Sequence, residues 1–510
     1  MKVIFVYAAF ENVGIEYLSA VLRKNGHQTS LVIDPRIFDD QFLPFKFNKN
    51  LFDYENEVIE QVVKARPEMI VFSLTASDYL WALRLSKRIK ERISVFIVFG
   101  GIHPTSVPEV VLSNNWINFV IMGEGEYALL ELVEALEQNK DYYGIPNVCI
   151  KGNNENVIIN TPRPYIKDLD SLPYPDKDLY YAAIPGYLKY YNMISRRGCF
   201  NDCTFCHNSV WDKVYPKERN IIRLRSVENV IDELIFAKKR FKIEVVRFND
   251  DIFNSSEEWL KNFSAQYRSK ISIPFICFVS PGNTNYNVVK YLKEANCIQV
   301  NMGVQTINDA LRLRILNRLE TKEKIISAIQ LYKEFKIRAV VDNIIGLPEE
   351  TENDLLDMVK FYFENPVYGR IAVFWLNYFP NTAIVDKSLE SGILSTESLR
   401  LIAREPTSKG ITLFGRFHKR ENMRYFVLLL LIQIIPRWVS KLIIFTSLYR
   451  YIPIINPAYI EIPFTLFSRD RLDPYRRSYY IRYKKFIPII VKKRISSLLT
   501  KKIKFNNQSN

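Results

Sequence analysis

At 510 residues the chain is too long for one simple core, and two or three domains are expected. A hydrophobic content of 48% with 14% aromatics excludes a disordered chain, and six cysteines are too few for a disulfide scaffold. The net charge of +15 is local: residues 411–510 hold 20 Lys and Arg against 4 Asp and Glu, leaving residues 1–410 nearly neutral, which argues against a nucleic-acid binder.

The opening run Met1-Lys2-Val3-Ile4-Phe5-Val6-Tyr7 reads as a buried strand rather than a cleavable leader, so a cytoplasmic location is expected. A helix follows at 15–24, a stop at Gly26-His27 and a strand at 29–33. The pattern repeats with strands at 67–73, 95–99 and 119–122 and helices at 78–92, 108–112 and 126–138. This alternation predicts an α/β fold: residues 1–145 form a doubly wound, Rossmann-like parallel sheet covered on both faces. Such sheets bind ligands beyond the carboxyl ends of their strands. Three loops there are rich in small polar residues: Ser73-Leu74-Thr75-Ala76-Ser77, Gly100-Gly101-Ile102-His103-Pro104-Thr105 and Gly123-Glu124-Gly125-Glu126. Their glycines let backbone approach a large ligand, and Ser73 and Thr75 offer hydroxyls; each loop taken alone is also an ordinary turn.

Residues 146–190, with Pro162, Pro164, Pro173, Pro175 and Pro185, read as a linker. A second series then places strands at 192–195, 245–248, 275–278, 299–304, 338–344 and 372–376, separated by helices such as 227–241, 287–295, 322–335 and 352–364. Six β/α units predict a partial TIM-like barrel over 191–395, with its active site at the strand carboxyl ends.

After the first of these strands comes Cys199-Phe200-Asn201-Asp202-Cys203-Thr204-Phe205-Cys206, which supplies three thiolates and no fourth. A centre held by three ligands keeps a position open for chemistry, unlike the four-cysteine clusters that only carry electrons. Zinc is the alternative, but its nearest fourth ligand, His207, adjoins Cys206 and is awkwardly placed to chelate the same ion. The C-x3-C-x2-C spacing with an aromatic residue before the last cysteine resembles the signature of the radical S-adenosylmethionine (SAM) enzymes. The three N-terminal loops resemble the cobalamin-binding domain that precedes the radical SAM core in one large subfamily. Cys149, Cys277 and Cys297 are isolated in apolar surroundings and read as buried hydrophobes.

That resemblance covers residues 1 to about 390 and implies cofactors and roles. Cys199, Cys203 and Cys206 would hold a 4Fe-4S cluster whose open iron chelates SAM, and Ser73, Thr75, Gly100, Gly101, His103, Gly123 and Glu124 would face cobalamin. Asp250 and Asp251 correspond to an acidic pair near the SAM amino group, although either suits a helix cap; Gly346 opens a Gly-Leu-Pro-x-Glu-Thr segment on the adenine side. Gln305 stands where relatives usually carry a glutamate, and Asn381 where glycine is usual. Many cobalamin proteins carry a cobalt-ligating histidine loop after the first strand; that loop is here Ala9-Phe10-Glu11-Asn12-Val13-Gly14, and the resemblance to this subfamily implies cobalt without a protein imidazole, with His103 lining the cofactor edge or capping its loop.

The implied reaction is functionalisation of an unactivated carbon, most often C-methylation, with a small-molecule or lipid-linked substrate and an electron donor such as flavodoxin or ferredoxin. Cobalamin-dependent ring closure without methylation is the first alternative, and a noncatalytic cobalamin or redox sensor the second. Residues 396–510 form a basic, aromatic, mostly helical region. Its 11-residue apolar run at 425–435 falls short of the roughly 20 residues of a membrane span. Cations interleaved with aromatics there fit peripheral association with the inner face of the membrane, and equally a helical cap over the barrel.

Overall fold

The computed structural model of the chain describes residues 1–8, 10–37, 52–152, 154, 156–184, 189–406, 419–454, 482–492 and 494. Strand β1 (Lys2–Ala8) is apolar almost throughout, and Val3, Ile4, Phe5 and Val6 are fully buried, as a parallel strand covered on both faces requires. It is joined by β2 (Gln28–Asp34), β3 (Met69–Ser73), β4 (Phe96–Gly100) and β5 (Phe119–Ile121), all parallel, in the order β2-β1-β3-β4-β5. The helix Val13–Lys24 starts where the Asn12 side chain accepts from the Ile15 amide at 3.1 Å, and Gly26, at φ 85°, lies just beyond its end. Chain order reverses between β1 and β3, which opens a crevice at the carboxyl ends of the strands.

Strands β6 (Val148–Lys151) and β7 (Val157–Ile159) extend this sheet antiparallel past β5. The sequence reading put residues from 146 onward in the linker, so this hairpin moves the end of the sheet to Ile159. The strands are only four and three residues long, and the Asn-rich stretch between them reads as loop, which hid the pairing.

The second sheet begins with β8 (Tyr190–Met193). A small antiparallel ladder of β9 (Arg196–Arg197) and β10 (Arg223–Leu224) follows, then β11 (Val245–Phe248), β12 (Phe275–Val279), β13 (Cys297–Gln305), β14 (Arg338–Ile345) and β15 (Gly369–Trp375). The six strands β8, β11, β12, β13, β14 and β15 are parallel and lie in sequence order, which gives a partial barrel with two edges. The returning helices Val227–Arg240, Glu257–Lys270, Tyr286–Glu294, Lys322–Glu334 and Glu352–Glu364 all start on a capping side chain: Ser226, Ser256, Asn285, Thr321 and Thr351 each accept a first-turn amide.

The C-terminal apolar run caps this barrel. The helix Met423–Leu431 buries Tyr425 through Leu430, and Phe426 stacks on Trp375 of β15 with ring centroids 5.7 Å apart. Gln433 then pairs with the edge strand as another strand would: its Oε1 accepts from the Ile371 amide at 2.8 Å and its Nε2 donates to the Ile371 carbonyl at 3.0 Å. A second helix, Arg437–Phe445, follows, and among the described residues no helix is long and apolar enough to cross a membrane. Residues 482–492 are helical and reach the N-terminal domain, where Phe486 packs edge-on against Tyr54. The basic pairs Arg476-Arg477 and Lys501-Lys502 lie outside the described residues.

Candidate functional site between the two domains

A cavity of about 430 Å³ lies where the carboxyl ends of both sheets face each other. Gly14, Ser73, Gly100, Gly101, Gly123 and Gly125 line its N-terminal wall; Cys199, Cys206, His207, Trp211 and Asp251 line its barrel wall. Gly101 has a backbone reason to be glycine: at φ 90° a Cβ would lie 2.6 Å from the Leu74 nitrogen. That close approach is made by interlocked loops, the Leu74 amide donating to the Gly100 carbonyl at 2.7 Å and the His103 amide to the Leu74 carbonyl at 3.2 Å.

The cysteine loop is fixed on three sides. Gly198, at φ 93°, turns where a Cβ would meet the Ile221 carbonyl oxygen at 2.1 Å. The Thr204 amide donates to the Leu316 carbonyl at 3.2 Å, its Oγ1 donates to the Ile315 carbonyl at 2.6 Å, and Asn317 Nδ2 donates to the Asp202 carbonyl at 2.9 Å. Within the loop the Asn201 amide donates to Cys199 Sγ at 3.3 Å and the Cys206 amide to the Cys203 carbonyl at 3.0 Å. None of the three cysteines is in a disulfide. Burial pushes the Cys199 thiol up to about 12 and raises Cys203 and Cys206 as well; at Cys203 the adjacent Arg318 charge opposes it. Metal ligation by these groups therefore displaces protons. Among the described residues no three His, Cys, Asp or Glu side chains converge on a single-ion site; a cubane instead spreads three cysteines over three irons. The donor set fits such a cluster, and the glycine wall fits a large ligand approached by backbone.

An ionic clasp joins the walls. Arg197, two residues before Cys199, donates from Nη1 to Glu124 at 2.9 Å and from Nη2 to Glu126 at 2.5 Å. Glu124 also accepts from Arg223 Nη1 and from the Ile166 amide, each at 2.9 Å. Burial pushes the Glu124 carboxyl up, but the Arg197 and Arg223 charges win and hold it below the usual carboxylate range. Tyr215 reinforces the contact, its Oη accepting from the Glu124 amide at 3.2 Å; a Cβ on Gly123 would collide with that oxygen at 1.9 Å. Glu124 lines the cavity, and its carboxylate is spent on joining the domains. Sequence reasoning missed Arg197, although two arginines immediately before the cysteine motif were its visible signal. It also missed Trp211, which stacks on Tyr215.

The other sequence-derived residues separate into groups. Thr75 turns away into a local knot, its Oγ1 donating to Asp78 Oδ2 at 2.8 Å. His103 is fully buried, 4.3 Å from the Tyr79 ring, with burial lowering its pKa to about 3; it is not on the wall of this cavity. His207 is on the wall, edge-on to Phe379 at 4.6 Å, and burial brings it to about 4. Asp250 is buried beneath the loop, accepting from the Ser195 amide at 2.7 Å, Ser195 Oγ at 2.6 Å and the Arg196 amide at 3.1 Å. Asp251 opens onto the cavity, accepts from Asn208 Nδ2 at 3.4 Å, and has its pKa raised by desolvation among the protein atoms around it. Gln305, at φ 68°, sits at the β13 register shift, and Gly346, at φ 82°, donates its amide to Glu350 Oε2 at 2.6 Å. Neither reaches this cavity.

Residues 3–133 match the family model described as B12 binding domain, and residues 193–362 match the Radical SAM superfamily. The chain belongs to the radical SAM superfamily, with a B12-binding domain ahead of its barrel. The radical SAM domain implies a 4Fe-4S cluster and SAM, and the B12-binding domain implies cobalamin. An uncharacterised methyltransferase of Pyrococcus horikoshii is 26% identical over 399 residues, 76% of this chain and 80% of that one. The anaerobic magnesium-protoporphyrin IX monomethyl ester cyclase of Rubrivivax gelatinosus is 23% identical, over 71% of this chain and 65% of its own. Among solved structures, the radical SAM methyltransferase TsrM of Kitasatospora setae superposes with a TM-score of 0.62 at 17% identity, covering 76% of each chain, which supports the shared fold.

Proposed function

We propose that this radical SAM enzyme is a cobalamin-dependent methyltransferase acting on an unactivated carbon. The observation that carries the reading is the shared cavity, where the glycine loops of the B12-binding domain face Cys199, Cys206 and Asp251. When bound, the cluster with SAM supplies a carbon-centred radical and cobalamin supplies the methyl group. Cys199, Cys203 and Cys206 would hold the cluster, Asp251 would take the SAM amino group, and the glycines would admit cobalamin. Arg197 holds the two walls in register, which fixes the separation of the reacting groups.

The likeness to the Rubrivivax cyclase favours a second reading, ring closure without net methylation. The substrate is a small molecule or a lipid-linked one, and the electron donor is of the flavodoxin or ferredoxin type. The basic C-terminal region supports peripheral association with the inner face of the membrane. The test is anaerobic reconstitution with iron, sulfide, cobalamin, reductant and SAM. Both 5′-deoxyadenosine and S-adenosylhomocysteine are expected, with deoxyadenosine lost in Cys203→Ala. Deoxyadenosine alone favours the cyclase reading, and neither product in cluster-loaded protein overturns both.

A further inference from the structure

We propose that the helix Arg437–Phe445 and the turn Leu448–Tyr451 form a face that docks on an anionic bilayer; this rests on the peripheral association proposed above and gives it a site. The helix is apolar on two sides. Ser440 and Ile444 are buried, and the helix packs on Glu352–Glu364 of the barrel. On the other side Trp438, Leu442 and Phe445, spaced i, i+4 and i+7, are exposed by 72%, 48% and 60%. Ile434 and Leu448 are exposed beside them, and Tyr451 is exposed by 84%. A cluster of this size on a folded surface marks an interaction site.

Charge selects the occupant. Between Glu421 and Glu461 the sequence contains no Asp or Glu, whereas Arg437, Lys441 and Arg450 lie within or beside the exposed stripe. Arg437 is held in place, its guanidinium 5.0 Å from the Phe363 ring centroid. Tryptophan and tyrosine with flanking cations are the side chains that settle at the headgroup level of a membrane. A two-fold contact between copies of the chain would instead bring these cations against their own mates. Nine residues are too few to span, so the helix lies in the plane of the interface. The face runs along the helix Glu352–Glu364 on the flank of the barrel: Arg437 lies by Phe363, near the amino end of β15, and Tyr449 of the turn lies 5.9 Å from Tyr425, whose hydroxyl donates to Glu352 at the other end of that helix.

The experiment is sedimentation of the reconstituted full chain with vesicles of phosphatidylglycerol and phosphatidylcholine, against phosphatidylcholine alone. Wild type should bind the anionic vesicles, and W438S/L442S/F445S should weaken that binding by at least about tenfold, since three apolar side chains no longer leave water for the bilayer. Lys441→Glu with Arg450→Glu should weaken binding by about tenfold at low salt. Deoxyadenosine production without vesicles should be unchanged in both, which certifies their fold. Absence of wild-type binding removes the peripheral association altogether. Equal binding by wild type and the triple variant leaves the association standing and overturns this face. A wild-type dimer that becomes monomeric in the triple variant, without vesicle binding, assigns the face to a second copy and overturns the proposal.

Discussion

The N-terminal wall of the cavity presents glycine backbone, whereas the barrel wall presents thiols, an imidazole, an indole and a carboxylate. Five glycines on one side leave room and few side-chain chemical commitments: they suit a large, preformed ligand read by shape. The barrel side offers donors whose identity matters atom by atom, as a small cluster and its ligand demand. The contrast teaches that two cofactor sites sharing one space need not share one kind of recognition, and that something must hold the two walls at a fixed distance. Here it is Arg197.

The sharpest way to break the comparison is Arg197→Ala. It leaves Glu124 and Glu126 of the N-terminal domain buried against the barrel with one cation fewer, a loss of about 3–5 kcal/mol by analogy with broken buried pairs. Cobalamin affinity, titrated by absorbance, should fall at least about tenfold while iron content per chain is retained. Loss of iron with cobalamin affinity unchanged would place the role of Arg197 within the barrel wall alone. Next in size is Gly101→Val, which forces a side chain into the Leu74 backbone at φ 90° and should destabilise the N-terminal domain by about 2–4 kcal/mol. A thermal melt equal to wild type with cobalamin binding abolished would mean the glycine serves the ligand only.

The smallest effect concerns Glu350, which closes the loop at Gly346 behind the barrel wall. Burial raises its pKa to about 8. It is neutral in the folded protein at pH 6 and ionises freely when unfolded, so its contribution is full below the ordinary carboxylate pKa and is lost as pH rises through 8. Glu350→Gln should flatten the fall in melting temperature between pH 5 and 8 by about a few degrees. An unchanged slope would show that the loop is held without a neutral acid.

The strands of both sheets were legible because runs such as Val3-Ile4-Phe5-Val6 are buried on both faces, and the barrel helices because Ser, Thr or Asn stands at each start. The hairpin β6–β7 was not, since the Asn-rich stretch inside it and the prolines that follow at Pro162 and Pro164 read as linker. Neighbouring acids could not be told apart either: Asp250 and Asp251 are chemically identical in sequence, yet one closes the Ser195-Arg196 backbone and the other faces the cavity. His103 looked like a cofactor contact, but its fate depends on Tyr79, which comes from the preceding β/α unit. The apolar run at 425–435 was readable as too short to span; that it lies on Trp375 is a contact no local pattern encodes.

Gln433 has a bearing on how the chain is made. The outer edge of β15 is an exposed row of backbone donors and acceptors from the moment residue 375 is synthesised, and an unpaired edge is a template for another chain. The amide that blocks it at Ile371 arrives only with residue 433 and the apolar helix before it. On the ribosome the finished barrel must therefore wait, uncovered, for its own stopper, and a chain terminated between these points is expected to aggregate through β15 although every strand of the barrel is present.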